Sequence, residues 1–298
     1  MRILLFGCNG QVGWELQRSL ATLGEVIALD FDSKSLSADF SRPDTLAATV
    51  RSVLPDVVVN AAAHTAVDKA EAEPDLARTI NAEAPGVLAR EAAISNAWLV
   101  HYSTDYVFDG SGNRPRLEDD PTGPLSVYGR TKLEAEELVM TLPRCAVVRI
   151  TNAFDIGFDD RNFVHRCVTS FRDGKPLIVP SDQFATPMYA TWLAEQCVTL
   201  WIRGAILCPD SPKLLHAGCD DLVSRGELAR RVARRLGADA GLIEERPTAA
   251  LSQAAPRPLR GGLRNDRWKR LLGVGRLPLD DALDDCLPRM KELYAAVP

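Results

Sequence analysis

Ile3-Leu4-Leu5-Phe6-Gly7-Cys8-Asn9-Gly10-Gln11-Val12-Gly13 decides the fold. Four apolar residues bounded by glycine read as a buried strand. Val12, Leu16 and Leu20 then share one face of a helix predicted over 11–22. Between strand and helix lie Gly7, Gly10 and Gly13 in GxxGxxG spacing. Glycine lets the backbone turn tightly and approach a pyrophosphate, whose charge meets the helix N-terminus. The spacing differs from the commoner GxGxxG, and clustered glycines also occur in plain turns. Its place after the first strand gives the loop its meaning.

The alternation continues outward. Strands are predicted over 26–29, ending at Asp30, and over 56–60, 98–102 and 146–150. Helices are predicted over 43–53 behind Pro43, over 74–95, and from the Tyr128 segment to about Met140. Continuous apolar strands alternating with helices imply a doubly wound, parallel Rossmann-type α/β sheet covered on both faces. Residues 1–152 are read as the dinucleotide-binding domain. Residues 153–298 are read as completing the sheet and forming a smaller substrate-binding lobe. In that second part Ser224-Arg225-Gly226-Glu227 has capping-box spacing, and Leu228, Val232 and Leu236 form a buried stripe. Arg230, Arg231, Arg234 and Arg235 fall on the other faces, which favours a solvated polar face over a phosphate site.

Composition narrows the function classes. A formal charge of −5 gives no basic surface for nucleic acid or an anionic membrane. No stretch approaches the length of an apolar membrane span. Seven cysteines, an odd number without a CxxC pair, point to buried thiols rather than a disulfide framework or zinc site. The chain passes from Arg2 straight into its first strand with no leader pattern, so a cytoplasmic location is expected.

The candidate chemistry lies in the middle of the first part. Tyr128 and Lys132 are four residues apart on a predicted helix and so share a face. An ammonium at Lys132 is expected to stabilise a Tyr128 phenolate, to lower its pKa and to reach ribose hydroxyls. Thr104, at the carboxyl end of a strand, is placed to hydrogen-bond a substrate carbonyl oxygen. Tyr-x-x-x-Lys alone is common by chance on an exposed helix; with Thr104 and the glycine loop it points to a nicotinamide-dependent reductase. Asp30 closes the second strand where an acid binds the adenine ribose, which favours NADH, while Lys34 lies close enough to accept the phosphate of NADPH. Asp39 and Phe40 are placed to flank the adenine, and Ala61, Ala62 and Ala63 form a small-residue floor after the third strand.

These motifs resemble those of the extended short-chain dehydrogenases/reductases, and more closely those of the dTDP-4-dehydrorhamnose reductases. The resemblance is carried by Asn9-Gly10-Gln11-Val12-Gly13, by Asn60-Ala61-Ala62 through Thr65-Ala66-Val67-Asp68-Lys69-Ala70-Glu71, and by Ile80-Asn81-Ala82. Ser103-Thr104-Asp105-Tyr106-Val107-Phe108-Asp109-Gly110, Asp119-Asp120-Pro121 and Tyr128-Gly129-Arg130-Thr131-Lys132 complete it. It is dense over residues 1–150 and thin beyond. It implies reduction of the 4-keto group of dTDP-6-deoxy-L-lyxo-4-hexulose to dTDP-L-rhamnose. Tyr128 would be the proton donor, Lys132 its partner, Thr104 the residue orienting the carbonyl and Tyr106 a tuning residue. Asp105 would contact substrate with Thr104. Gly7, Asn9, Gly10, Gln11, Val12, Gly13, Asp30, Asp39, Phe40, Ala61, Ala62, Ala63, His64 and Thr65 would line NADPH or NADH. The resemblance further implies a homodimer. Some relatives hold Mg2+ at a dimer contact, for which no ligand set is legible here.

Departures from the pattern concern the substrate side. The family's Arg-Thr-Ser-Trp-Val-Tyr appears as Arg149-Ile150-Thr151-Asn152-Ala153-Phe154, so an amide at Asn152 stands in for a substrate-stacking tryptophan. His64 replaces a tyrosine, and Trp192 stands where an acid is usual. Asp182-Gln183-Phe184-Ala185-Thr186-Pro187 keeps the family's shape, and Arg257-Pro258 is placed to meet the nucleotide diphosphate. Two alternatives stay open: a reductase of a different keto nucleotide sugar, and a non-catalytic regulatory subunit that keeps the dinucleotide fold.

Overall fold

The computed structural model describes residues 1–156, 162–202 and 213–296. Its first part contains β1 (Arg2–Phe6), α1 (Gln11–Leu20), β2 (Glu25–Leu29), α2 (Pro43–Val53), β3 (Val57–Asn60), α3 (Val67–Ala72), α4 (Pro74–Arg78) and α5 (Ala84–Ser95). These are followed by β4 (Trp98–Thr104), α6 (Val127–Met140) and β5 (Cys145–Ile150). The second part contains α7 (Phe163–Arg172), β6 (Leu177–Pro180), β7 (Phe184–Ala185), α8 (Ala190–Ile202), β8 (Leu214–Ala217) and β9 (Val223–Ser224). It ends with α9 (Arg225–Leu236), β10 (Ile243–Arg246), α10 (Asp266–Leu272) and α11 (Leu279–Ala296).

Six strands form the central sheet in the order β2-β1-β3-β4-β5-β8, and every pairing in it is parallel. Strand side chains alternate between faces, so each strand feeds two cores. Ile3 and Leu5 pack with Leu16, Val59, Leu193 and Trp268 beneath α1, α8 and α10. Leu4 and Phe6 pack with Leu46, Val58, Leu88 and Val139 beneath α2, α5 and α6. A third core gathers Phe154, Val164, Leu228, Val232 and Leu283 from the second part. Chain order reverses between β1 and β3, so the crevice suited to a ligand opens at their carboxyl ends.

The helix predicted over 74–95 is interrupted. A π-helical turn, Thr79–Glu83, lies between α4 and α5. The wide turn places Asn81 so that its Oδ1 accepts from His64 N at 2.8 Å and its Nδ2 donates to Thr131 Oγ1 at 3.2 Å. A π-turn inside a helix often marks a functional site, and this one links the loop after β3 to α6.

The arginine face of α9 also departs from expectation. Arg231 pairs with Asp221 at 3.1 Å, and Arg235 with Asp284 of α11 at 2.6 Å. Both guanidinium groups are mostly covered, so half of this face fastens helices together. Ser224 caps α9 by accepting from Glu227 N at 3.0 Å, while the Glu227 carboxylate turns to Arg231. Six cysteines are buried and unpaired; Cys208 lies outside the described residues. No described helix is long and apolar enough to cross a membrane.

Candidate active site

The glycine loop is a cradle shaped by close backbone approach. Gly7 has φ +81°, and a Cβ there would lie 2.6 Å from Ala62 N. A Cβ on Gly13 would sit 1.9 Å from Gly7 O. The loop therefore closes onto the β3 end only because both residues lack side chains. Gly10 begins α1 with no side chain capping the helix, so its first N–H groups stay available to an anion. This fits the pyrophosphate of a dinucleotide.

Asp30, read as the ribose-facing acid, also braces this loop. Its Oδ2 accepts from Asn9 N at 2.9 Å and its Oδ1 from Phe31 N at 2.8 Å. Phe40 is not an open wall: it is buried and meets Phe6 edge-on with centroids 5.5 Å apart. Asp39 accepts from the Ser41 N–H and hydroxyl. The exposed apolar ring on this edge is Phe31, 75% accessible, which the sequence reading passed over. His64 lies 4.0 Å from Glu73 and keeps a buried Nδ1 without a hydrogen-bond partner.

Thr104 ends β4, and Tyr128 opens α6. Three features hold that helix start. Ser126 Oγ accepts from Gly129 N at 3.1 Å, and Glu71 Oε1 accepts from Val127 N at 2.7 Å. Gly129 supplies the third, because a Cβ there would stand 2.3 Å from Tyr106 O. Glycine thus lets α6 press against the turn Asp105–Val107. Tyr106 and Tyr128 meet edge-to-face with ring centroids 5.5 Å apart.

Burial pushes the Tyr128 phenol well above its ordinary pKa, and a hydrogen bond with Thr104 opposes the rise. Lys132 is 2% exposed and directs Nζ to Tyr102 O at 2.7 Å and to His101 Nε2 at 3.1 Å. Desolvation brings its own pKa down to about 8, against the opposing charge of Glu136. Tyr128 is therefore held as a phenol, the form that donates a proton.

On the substrate side, burial raises Asp105 to about 6, while the Thr151 and Thr104 hydroxyls and the charge of Arg225 oppose the rise. Arg225 donates to Asn152 Oδ1 and lies over the Phe163 ring at 4.7 Å. Asn152 adopts φ +45°, a left-handed conformation that asparagine tolerates better than most residues. The tryptophan position is thus an amide–guanidinium pair. Sequence reasoning missed Arg225, whose place at the start of α9 is far from Asn152 in the chain. Arg257 pairs with Asp68 at 2.8 Å and keeps a buried, unpartnered Nη1. Trp192 is an apolar packing residue between two cores, not an acid's substitute.

The whole chain is similar to known proteins of one family. The family model described as the RmlD substrate binding domain matches residues 1–292. A dTDP-4-dehydrorhamnose reductase of Salmonella typhimurium is 42% identical over 276 residues, covering 91% of each chain. The crystal structure of a dTDP-4-dehydrorhamnose reductase from Clostridium acetobutylicum superimposes with a TM-score of 0.88 at 32% identity, covering 98% of this chain and 100% of that one. The Bacillus anthracis dTDP-4-dehydrorhamnose reductase, solved in complex with NADP, gives a TM-score of 0.85 at 26% identity and covers 96% and 98%. The cradle, the Thr104–Tyr128–Lys132 constellation and the near-complete family match lead to one statement: this chain belongs to the dTDP-4-dehydrorhamnose reductase family.

Proposed function

We propose that this chain is an NAD(P)H-dependent oxidoreductase that reduces the 4-keto group of dTDP-6-deoxy-L-lyxo-4-hexulose, giving dTDP-L-rhamnose for cell-surface polysaccharide. The observation that carries the reading is the half-buried Tyr128 at the start of α6, its ring edge-on to Tyr106, beside a sheet whose glycine cradle fits a dinucleotide.

Gly7, Gly10 and Gly13 would receive the pyrophosphate, with Asn9, Gln11 and Val12 around it. Asp30 and Asp39 lie on the ribose and adenine side, and Ala61, Ala62, Ala63, His64 and Thr65 on the nicotinamide side. A bound reduced nicotinamide supplies the hydride. Thr104 and Asp105 orient the sugar carbonyl, and Tyr128 gives its proton to the oxygen as C4 is reduced. Tyr106 packs against Tyr128 and restricts its ring. Residues 153–298 act as the substrate lobe, where Arg257 meets the diphosphate. The protein works as a cytoplasmic homodimer on this reading.

The test is nicotinamide fluorescence decay with the keto sugar made in situ, beside Tyr128→Phe. Decay abolished by the substitution supports the assignment. No decay with NADH or NADPH, from protein that binds either, would overturn it. One observation favours a second reading, a different keto nucleotide sugar: Arg225 and Asn152 make a polar surface where the family carries an aromatic ring. Turnover of another 4-keto nucleotide sugar in preference to this one would support that reading. The regulatory-subunit reading has no comparable support, since it gives a tuned phenol no task.

A further inference from the structure

Arg225 opens α9 in the second part of the chain, directly after the cap residue Ser224. Its backbone N donates to Gln183 O at 3.2 Å, just before β7. From there the side chain crosses to the carboxyl end of β5. Nη2 donates to Oδ1 of Asn152, two residues beyond that strand, and the guanidinium lies over the Phe163 ring, 4.7 Å from its centroid. Its charge also reaches Asp105 and Tyr106, which follow β4. The neighbouring parallel strands β4 and β5 thus end near one arginine from the second part. Ligands of open α/β sheets bind at such carboxyl ends. Tyr106 in turn meets Tyr128 edge-on, so the arginine and the reacting phenol share a neighbour.

A guanidinium carries five N–H donors. Among the described residues, the Asn152 amide is the one hydrogen-bond acceptor of this group, and no carboxylate lies within ion-pair distance of it. Arg225 is nevertheless recessed: it is half-buried, and desolvation works against its charge. Its remaining donors therefore call for oxygen acceptors. Arg257, the other cation whose charge reaches Tyr106, is already held by Asp68 at 2.8 Å.

Local charge decides the kind of acceptor. Asp105 is 4% exposed and fixed on both sides. Its Oδ1 accepts from Thr104 Oγ1 at 3.3 Å, and its Oδ2 lies against Gly261, where a Cβ would stand 2.2 Å away. It is therefore held from swinging across to Arg225, and the two charges balance without touching. A sugar hydroxyl, which both donates and accepts, satisfies each of them. A sugar carboxylate would instead place a like charge beside Asp105.

We propose that Arg225, positioned by Asn152, is a specificity-determining residue that donates hydrogen bonds to ring hydroxyls of the sugar, so that this chain selects nucleotide sugars hydroxylated at C2 and C3 over deoxygenated ones. The proposal rests on the reductase reading of the site.

The test is isothermal titration calorimetry on the full chain saturated with NADP+ or NAD+. The probes are dTDP-L-rhamnose and its 2,3-dideoxy counterpart, which keeps the C4 hydroxyl. Arg225→Met should weaken binding of the hydroxylated sugar about 10- to 100-fold and that of the dideoxy sugar less than about twofold, as loss of hydrogen bonds from a charged group implies. Arg225→Lys keeps the charge without the planar fork and should recover part of the loss. Asn152→Gly removes the amide, and glycine accepts the left-handed backbone at φ +45°. It should give a smaller loss with the same preference.

Equal losses for the two sugars in Arg225→Met would mean a purely structural role and would overturn the proposal. Tighter wild-type binding of the dideoxy sugar, or of an analogue with a carboxylate in place of the C5 methyl, would overturn it as well. Wild-type protein that shows the binding preference yet reduces no keto sugar would instead defeat the reductase reading and leave the role of Arg225 standing.

Discussion

Arg149 and Glu136 form a bidentate ion pair, with Nη2 to Oε2 at 2.6 Å and both side chains within 3% of complete burial. The Ser103 hydroxyl also donates to Glu136, and Arg149 Nη1 lies 3.3 Å from His216 Nε2. This polar spine joins α6 to β4, β5 and β8 directly beneath the reacting groups, and it sets how firmly Tyr128 and Lys132 are held.

Removing one partner should therefore be severe. Glu136→Gln leaves the Arg149 guanidinium buried without a counter-ion, at a cost of about 3–5 kcal/mol. Replacing both, as Glu136→Leu with Arg149→Met, should cost less than the single change. Urea unfolding of the wild type and the two variants checks the order. Equal stabilities would mean that the pair is not electrostatically coupled.

Thr104 should act on the chemical step rather than on binding of dinucleotide. Thr104→Val removes the hydroxyl at the carboxyl end of β4 that would meet the carbonyl oxygen, and kcat should fall about 100-fold or more. Thr104→Ser should restore most of it. Stopped-flow hydride transfer, with dinucleotide affinity measured in parallel, separates the two effects.

Asp105 makes stability depend on pH. Its folded pKa, about 6, lies above the ordinary carboxylate value of 3.8. The native state therefore binds more protons between about pH 4 and pH 6, and stability declines as pH rises through that window. The penalty is fully present above pH 6 and amounts to about 3 kcal/mol, from 1.36 kcal/mol per unit. Asp105→Asn should be more stable than the wild type at pH 7 and lose that advantage near pH 4. Denaturant titrations at the two pH values check both arms.

Gly13→Ala should damage the cradle while leaving the sheet. The added methyl would meet Gly7 O at 1.9 Å, forcing the loop outward at about 1–3 kcal/mol. Affinity for NADPH or NADH should drop about tenfold or more, as read by nicotinamide fluorescence titration. Unchanged affinity would place the pyrophosphate elsewhere.

Local rules made much of this legible. The unbroken apolar run Ile3–Phe6 and the glycines at 7, 10 and 13 act within a few residues, so pattern alone reveals the first strand, turn and helix. Tyr128 and Lys132 share a helix face for the same reason. Gly129 offered a signal too: glycine inside a helix is unfavourable unless something presses on it, and Tyr106 O does. The π-turn at Thr79–Glu83 had no such signal, because it answers to His64 and Thr131 rather than to its neighbours in the chain.

By itself, then, the sequence determined a doubly wound sheet, the glycine cradle and the helix face shared by Tyr128 and Lys132, since each follows from residue type at short spacing. Only the tertiary structure decided which groups face one another across the sheet. It placed Arg225 against Asn152, Arg149 against Glu136, and Lys132 against His101 and the Tyr102 carbonyl. Burial and hydrogen-bond direction fix protonation, and both depend on neighbours brought from distant strands and helices.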